Sequence, residues 1–322
     1  MNQAFRQFVL DVTEAESITS EELIQTLWSG YGELVRVGLS GGKENTAIVK
    51  YIVLPDQTNH PRGWNTSRSH ERKIKSYDVE MHWYHDWSHR CDDSCRVPVS
   101  YASESHENER IIILEDLDNA GYGLRKQDLT YDEVLVCLKW LANFHATFLQ
   151  ETPVGLWQTG TYWHLATRPD ELAAMEHMPL KNAATRIDAT LSDCKYQTFV
   201  HGDAKVANFC FSLDGTKVAA VDFQYVGGGC GMKDVAYLLG SCLSGKQCAQ
   251  WDEALLDFYF EELQLALSVR GKKIDFENLQ AEWRPMYAFA WADFYRFLLG
   301  WMPTHKKVNF YCEQMADKVL NS

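Results

Sequence analysis

The segment VHGDAKVANF (200–209) places His201, Asp203, Lys205 and Asn208 together, directly after the short apolar end of YQTFV. A carboxylate there can take a proton, an amide oxygen can ligate a hard cation, and an ammonium can hold a phosphate. A second segment, VAAVDFQYVGGG (218–229), contributes Asp222. Between them FCFSL and KVAAVDF flank an Asp214-Gly215 turn, the signature of a β-hairpin. Its strands are neighbours, so Asn208 and Asp222 can converge on one point. Phosphoryl transfer from a nucleotide uses such a set: one Asp for the acceptor hydroxyl's proton, an Asp and an Asn for Mg2+. Each residue alone would suit a solvated hairpin with acidic ends; their joint spacing favours chemistry.

The elements that must position these groups follow from local signals. Thr19-Ser-Glu-Glu22 matches a capping box and predicts a short helix to about Trp28. YGELVRVGL (31–39) and NTAIVKYIVL (45–54) read as a hairpin around Gly41-Gly42, and 55–68 as a loop. Residues 67–88 have helical length and composition, and RVPVSYAS and RIIILEDL supply two more strands. Thr130-Tyr-Asp-Glu133 is a capping box before a long helix through VLVCLKWLANFHATFL. Helices dominate from there, apart from a strand-like island at 196–226. The expected fold is α+β and bilobal: residues 1–117 as a β-rich lobe with one main helix, and 118–322 as a larger, mainly helical lobe.

HGDxxxxN followed by VDF resembles the protein-kinase-like superfamily of small-molecule kinases, which includes aminoglycoside phosphotransferases and choline kinases. The DFQ form at 222–224 looks most like its ecdysteroid kinase-like branch. The resemblance implies ATP as phosphoryl donor, Mg2+, and the alcohol group of a small molecule as acceptor. It makes Asp203 the catalytic base, Asn208 and Asp222 metal ligands, Lys205 a γ-phosphate contact, and His201 a structural support. In the first lobe Lys50 resembles the strand lysine that grips the α/β-phosphates, with Glu80 as its helix partner and Glu71 as the competitor. Gly41 and Gly42 would offer backbone N–H groups to phosphate, although no full G-x-G-x-x-G pattern is present. ILEDL (113–117), with Glu115 and Leu117, resembles the hinge that holds adenine through its backbone. His145 reads as a buried structural histidine, and Asp234 as a brace for the catalytic loop. Gly202 stands where protein kinases carry Arg, and no A-P-E segment follows Asp222, which disfavours a protein kinase.

Two other clusters compete for attention. His82, His85, His89, Cys91 and Cys95 could suggest zinc, but they form no CxxC pair, and Asp92-Asp93 suit a solvated helix end. Trp283, Tyr287, Trp291 and Tyr295 recur every four residues, with Asp293 among them and Trp301 beyond. That face suits core packing first and an acceptor wall second. Over 322 residues the net charge of −13 argues against a nucleic-acid surface, and no apolar run reaches membrane-span length. Nine scattered cysteines and no signal-peptide pattern suit a cytoplasmic protein. A non-catalytic, nucleotide-binding regulator of pseudokinase type is the alternative function. The residues leave oligomeric state open, and among acceptors they do not choose between choline-like amines, polycations, steroid-like alcohols and sugars.

Overall fold

The computed structural model describes residues 3–27, 30–54 and 67–322. It opens with α1 (Gln3–Thr13), which the sequence reading omits although Phe5, Phe8, Val9 and Val12 recur at helical spacing. That stripe packs on an antiparallel sheet of β1 (Ser17–Thr26), β2 (Gly32–Ser40), β3 (Thr46–Val53), β4 (Ser100–His106) and β5 (Glu109–Glu115), ordered β1-β2-β3-β5-β4. The predicted hairpin is β2 and β3, with Leu34 opposite Lys50. The predicted helix after Thr19 is absent: that segment is β1, paired with β2 from Ser17↔Ser40 to Thr26↔Glu33. Leu23, Ile24 and Leu27 do have helical spacing, but propensity is a weak prior that ladder pairing overrides.

Side-chain alternation along β3 assigns its two faces. Ala47 and Val49 join Val37, Ile111 and Ile113 under α1, whereas Ile48, Lys50 and Ile52 point to the opposite face. There lies α2 (Ser67–His82). The helix predicted to Ser88 ends at His82 and continues as a wide π-type turn, Trp83–Trp87, then short tight turns. The predicted loop lies outside the described residues up to position 66.

The second lobe begins with β6 (Leu124–Arg125) and α3 (Tyr131–Phe148). The predicted capping box is formed: the Thr130 hydroxyl accepts from Glu133 N–H, and the Glu133 carboxylate accepts from Thr130 N–H. Next come α4 (Pro169–Ala174), α5 (Met178–Ser192), and the short strands β7 (Thr198–Val200), β8 (Phe209–Phe211), β9 (Val218–Ala220) and β10 (Gly227–Gly229). Helices α6 (Met232–Cys242), α7 (Gly245–Val269), α8 (Phe276–Trp301) and α9 (Phe310–Leu320) complete the lobe. The buried rings of Trp140, Phe144 and Phe148 on α3 reach Trp83 and Phe223, so one core runs under both lobes. Among the described residues no helix is long and apolar enough to cross a membrane.

Candidate active site

Between the lobes lies a cleft of about 1680 Å³ lined by Lys50, Glu80, Asp203, Lys205, Asn208 and Asp222. Sites for one drug-sized molecule run roughly 300–1,000 Å³, so this cleft has room for two ligands. From β3, Lys50 Nζ meets Glu80 Oε2 of α2 at 2.6 Å, both side chains buried. Glu71, the competing carboxylate, is exposed. Burial pushes the Glu80 carboxyl up against the pull of Lys50. Burial also works against a charged Lys50, yet Glu80 and Asp222 outweigh it and raise the ammonium's pKa.

The residues expected to form the catalytic loop are held through their own backbone N–H groups. His201 N–H and Gly202 N–H donate to the Asp234 carboxylate at 2.5 and 3.0 Å. Asp234 is braced in turn by His145 Nε2 at 3.3 Å, and His145 Nδ1 meets the Tyr259 hydroxyl at 2.7 Å. Gly202 has φ +79°, and a Cβ there would lie 2.1 Å from Tyr225 O, so neither Arg nor any other side chain fits. His201 Nε2 sits 3.0 Å from Val221 O, and the His201 ring lies 4.5 Å from that of Phe223. Phe223 also stacks on Trp83 at 4.4 Å, which fixes the Asp222 strand end against the element carrying Glu80.

On this frame the functional groups converge. Asn208 precedes β8 and Asp222 follows β9, at the same end of the hairpin, with Val221 N–H bonded to Asn208 O at 3.0 Å. Asn208 Nδ2 donates to Asp203 O at 2.8 Å and to Asp203 Oδ2 at 3.2 Å, which directs the amide oxygen elsewhere. Lys205 Nζ lies 2.8 Å from Asp203 Oδ2. Asp222 adopts φ +71°, a left-handed conformation uncommon outside glycine and tolerated best by Asp and Asn. Its Oδ1 is buried, lies 3.8 Å from Lys50 Nζ and accepts no hydrogen bond. Burial opposes ionisation of Asp222, but Lys50, Lys205 and Lys73 outweigh it and hold the carboxyl below the usual range.

At the hinge, Glu115 and Leu117 both line the cleft. The Glu115 carboxylate is bound by Arg96 at 2.5 Å, and its N–H bonds Val99 O. Leu117 O accepts from Tyr122 N–H, while its own N–H has no partner among the described residues. Gly41 and Gly42 depart from expectation. Their turn packs on the end of α1, where a Cβ at Gly41 would meet Glu16 and one at Gly42 would meet Thr13 O, and neither lines the cleft. The β1–β2 end, with Thr26, Leu27 and Gly30, lines it instead.

The far wall comes mostly from residues the sequence reading passed over, Trp301 excepted. On α8, Trp283, Tyr287, Trp291 and Tyr295 are buried in the core, and Asp293 is locked to Arg296 at 2.8 Å. The adjoining face, Phe294, Phe297, Leu298 and Trp301, lines the cleft with Tyr162, Tyr225, Tyr237 and Lys307. Lys73 also faces inward, its Nζ 2.8 Å from Gln224 Oε1. Burial, then the charge of Lys50, push its ammonium down to about 8. The signal was present: Lys73, Tyr77, Glu80 and Tyr84 share one face of α2 and its continuation.

Comparison with known proteins gives this architecture a family. The profile of the ecdysteroid kinase-like family matches residues 33–150 and 164–271. The chain belongs to the ecdysteroid kinase-like family. A search of curated protein sequences finds no match. Solved structures of similar fold include a choline kinase from Cryptosporidium parvum Iowa II (TM-score 0.58, 10% identity, 99% of this chain and 95% of that one). The amicoumacin kinase hAmiN, in complex with AMP-PNP, Ca2+ and Ami, aligns at TM-score 0.57 and 13% identity, over 98% of this chain and 95% of that one. A microcompartment-associated aminopropanol kinase aligns at 0.56 and 15%, over 98% and 94%. These likenesses establish a kinase-type bilobal fold.

In this ecdysteroid kinase-like chain the His/Cys cluster is split between an exposed turn and the interior. His82 and His85 both pair with Asp86, while Cys95 is buried 3.7 Å from the Thr147 hydroxyl. Among the described residues no three His, Cys, Asp or Glu side chains gather as a metal cage.

Proposed function

We propose that this ecdysteroid kinase-like protein is an ATP- and Mg2+-dependent phosphotransferase acting on a hydroxyl of a small molecule. The observation that carries this is the convergence of Asp203, Asn208, Asp222 and the Lys50–Glu80 pair on one interlobe cleft. We set the lobe boundary after Leu117, so that the unpartnered Leu117 N–H lies at the joint and serves adenine.

The donor set suits Mg2+. The buried Asp222 Oδ1 lacks a hydrogen bond, and Asn208 turns its amide nitrogen toward Asp203. Asn208 and Asp222 would hold the ion, and phosphate oxygens would complete a shell that two protein oxygens leave unfilled. When bound, Mg2+ supplies charge neutralisation at the phosphates. Lys50, kept cationic by Glu80 and Asp222, grips the α- and β-phosphates, and Lys73 adds a second positive charge nearby. Asp203 accepts the acceptor's proton as the hydroxyl oxygen attacks the γ-phosphorus. The bridging P–O bond breaks, ADP leaves, and Lys205 neutralises the transferring group. The hAmiN complex with AMP-PNP is in keeping with a nucleotide in such a cleft.

A nucleotide-binding regulator could dispense with the base, whereas here Asp203 is positioned by Asn208, Lys205 and the Asp234 brace together. A coupled ATP-consumption screen over hydroxylated small molecules, with Asp203→Asn as background, tests the function. Acceptor-dependent ADP formation that the variant loses is the expected result. Binding of Mg·ATP with no transfer to any acceptor would favour the regulator.

A further inference from the structure

The carboxylates lining the cleft already have cations. Glu80 is paired with Lys50, Glu115 with Arg96, Asp203 with Lys205, and Glu22, Asp116 and Asp118 with Arg36; Asp222 lies 3.8 Å from Lys50. Lys307 is the reverse case. It lines the aromatic end of the cleft, yet among the described residues it forms no ion pair. Its Nζ lies 4.5 Å from the Tyr237 ring centroid and 5.5 Å from that of Phe294. Burial lowers its pKa to about 8, as a lysine short of counter-charge requires, although Asp203 pulls the other way. Arg168, on the same wall, is already paired with Glu171 at 3.1 Å.

Aromatic faces are where an ammonium ligand would dock by cation–π attraction. Here the chain's own ammonium occupies two of them. We propose that Lys307 is a specificity residue, and that the preferred acceptor is a ring-bearing alcohol whose anionic group is held by Lys307, not an ammonium alcohol. This rests on the phosphotransferase function proposed above and deepens it. It also separates this chain from the structural neighbours named for aminopropanol and choline, both amino alcohols. The half-buried rings of Tyr162, Tyr225 and Trp301 would clasp the acceptor's body, its hydroxyl facing Asp203 and its anion facing Lys307.

The test uses three probes of one shape: 4-(hydroxymethyl)benzoate, benzyl alcohol and 4-(hydroxymethyl)benzylammonium. Affinity is measured by calorimetry without nucleotide, and kcat and KM by ATP consumption. The wild-type protein should bind the benzoate at least about tenfold more tightly than the ammonium, a modest demand for one partly buried charge. Lys307→Glu should invert that order, and Lys307→Met, which keeps the apolar stem, should flatten it through KM with kcat little changed. Preference for the ammonium, an order that ignores residue 307, or no binding of any probe would overturn the proposal. Lys307-dependent binding without transfer would instead leave it standing while the phosphotransferase function fails.

Discussion

On the proposed donor side of the cleft, three charges are matched within the protein. Lys50, Glu80 and Asp222 arrive from a strand, a helix and a hairpin, and each is held by an opposite charge. On the proposed acceptor side the wall is rings from α8 and the segment around Tyr162, with Lys307 forming no ion pair among the described residues. The first arrangement tolerates little variation, because a buried charge without its partner costs several kcal/mol. The second is set by shape, and rings can be exchanged without stranding a charge. Under the proposed function, donor chemistry is built in by residue type, and acceptor choice by surface.

The sharpest way to break this contrast is at the point where the sides meet. Asp203→Asn should lower phosphoryl transfer by about 10³-fold, in line with loss of a general base, while the calorimetric Kd for Mg·ATP changes little. Next in size is Lys50→Met, which strands Glu80. Urea unfolding should show a loss of roughly 3 kcal/mol near neutral pH. Lys50 pulls the buried Glu80 carboxyl down, so its removal pushes that carboxyl further above its ordinary value, and as pH rises the unfolded variant gives up the proton first. The loss should therefore grow from pH 5 to pH 8.

A change on the other wall should act differently. Trp301→Ala should raise acceptor KM roughly tenfold while Mg·ATP affinity holds, as expected for a half-buried ring that lines only the acceptor end of the cleft. The smallest effect belongs to Lys73. Its ammonium, down at about 8 between Lys50 and the carboxylates of Asp222, Glu80 and Asp203, loses its proton as pH rises through that value. Phosphates would restore the proton. Mg·ATP binding near pH 8 to 9 should take up protons, seen as a buffer-dependent calorimetric heat, with affinity falling a few-fold toward pH 9. Lys73→Met should abolish both.

The same contrast explains what the sequence disclosed. The gathering of Asp203, Asn208 and Asp222 at one end of a hairpin was legible in their spacing, and Lys50 in its hairpin context and its resemblance to the strand lysine of the protein-kinase-like superfamily. The acceptor wall was not legible. Helix α8 is aromatic on two faces, and nothing in its periodicity says that Trp283, Tyr287 and Trp291 join the main core while Phe297 and Trp301 border the cleft. Gly41-Gly42 misled for a similar reason: a glycine turn states what the backbone can do, and tertiary packing against α1 decides where it lies. β1 was read as helix from Thr19-Ser-Glu-Glu22 because local capping chemistry was visible and pairing with β2 was not.

The most direct test of the central claim follows the γ-phosphate itself. Phosphorus NMR of the wild-type protein with Mg·ATP and a panel of hydroxylated small molecules should show a new phosphate-ester resonance growing as ADP appears, absent with Asp203→Asn. ADP accumulating only with inorganic phosphate for every panel member, or an ester signal of equal rate in Asp203→Asn, would contradict the assignment of this cleft as an alcohol phosphotransferase.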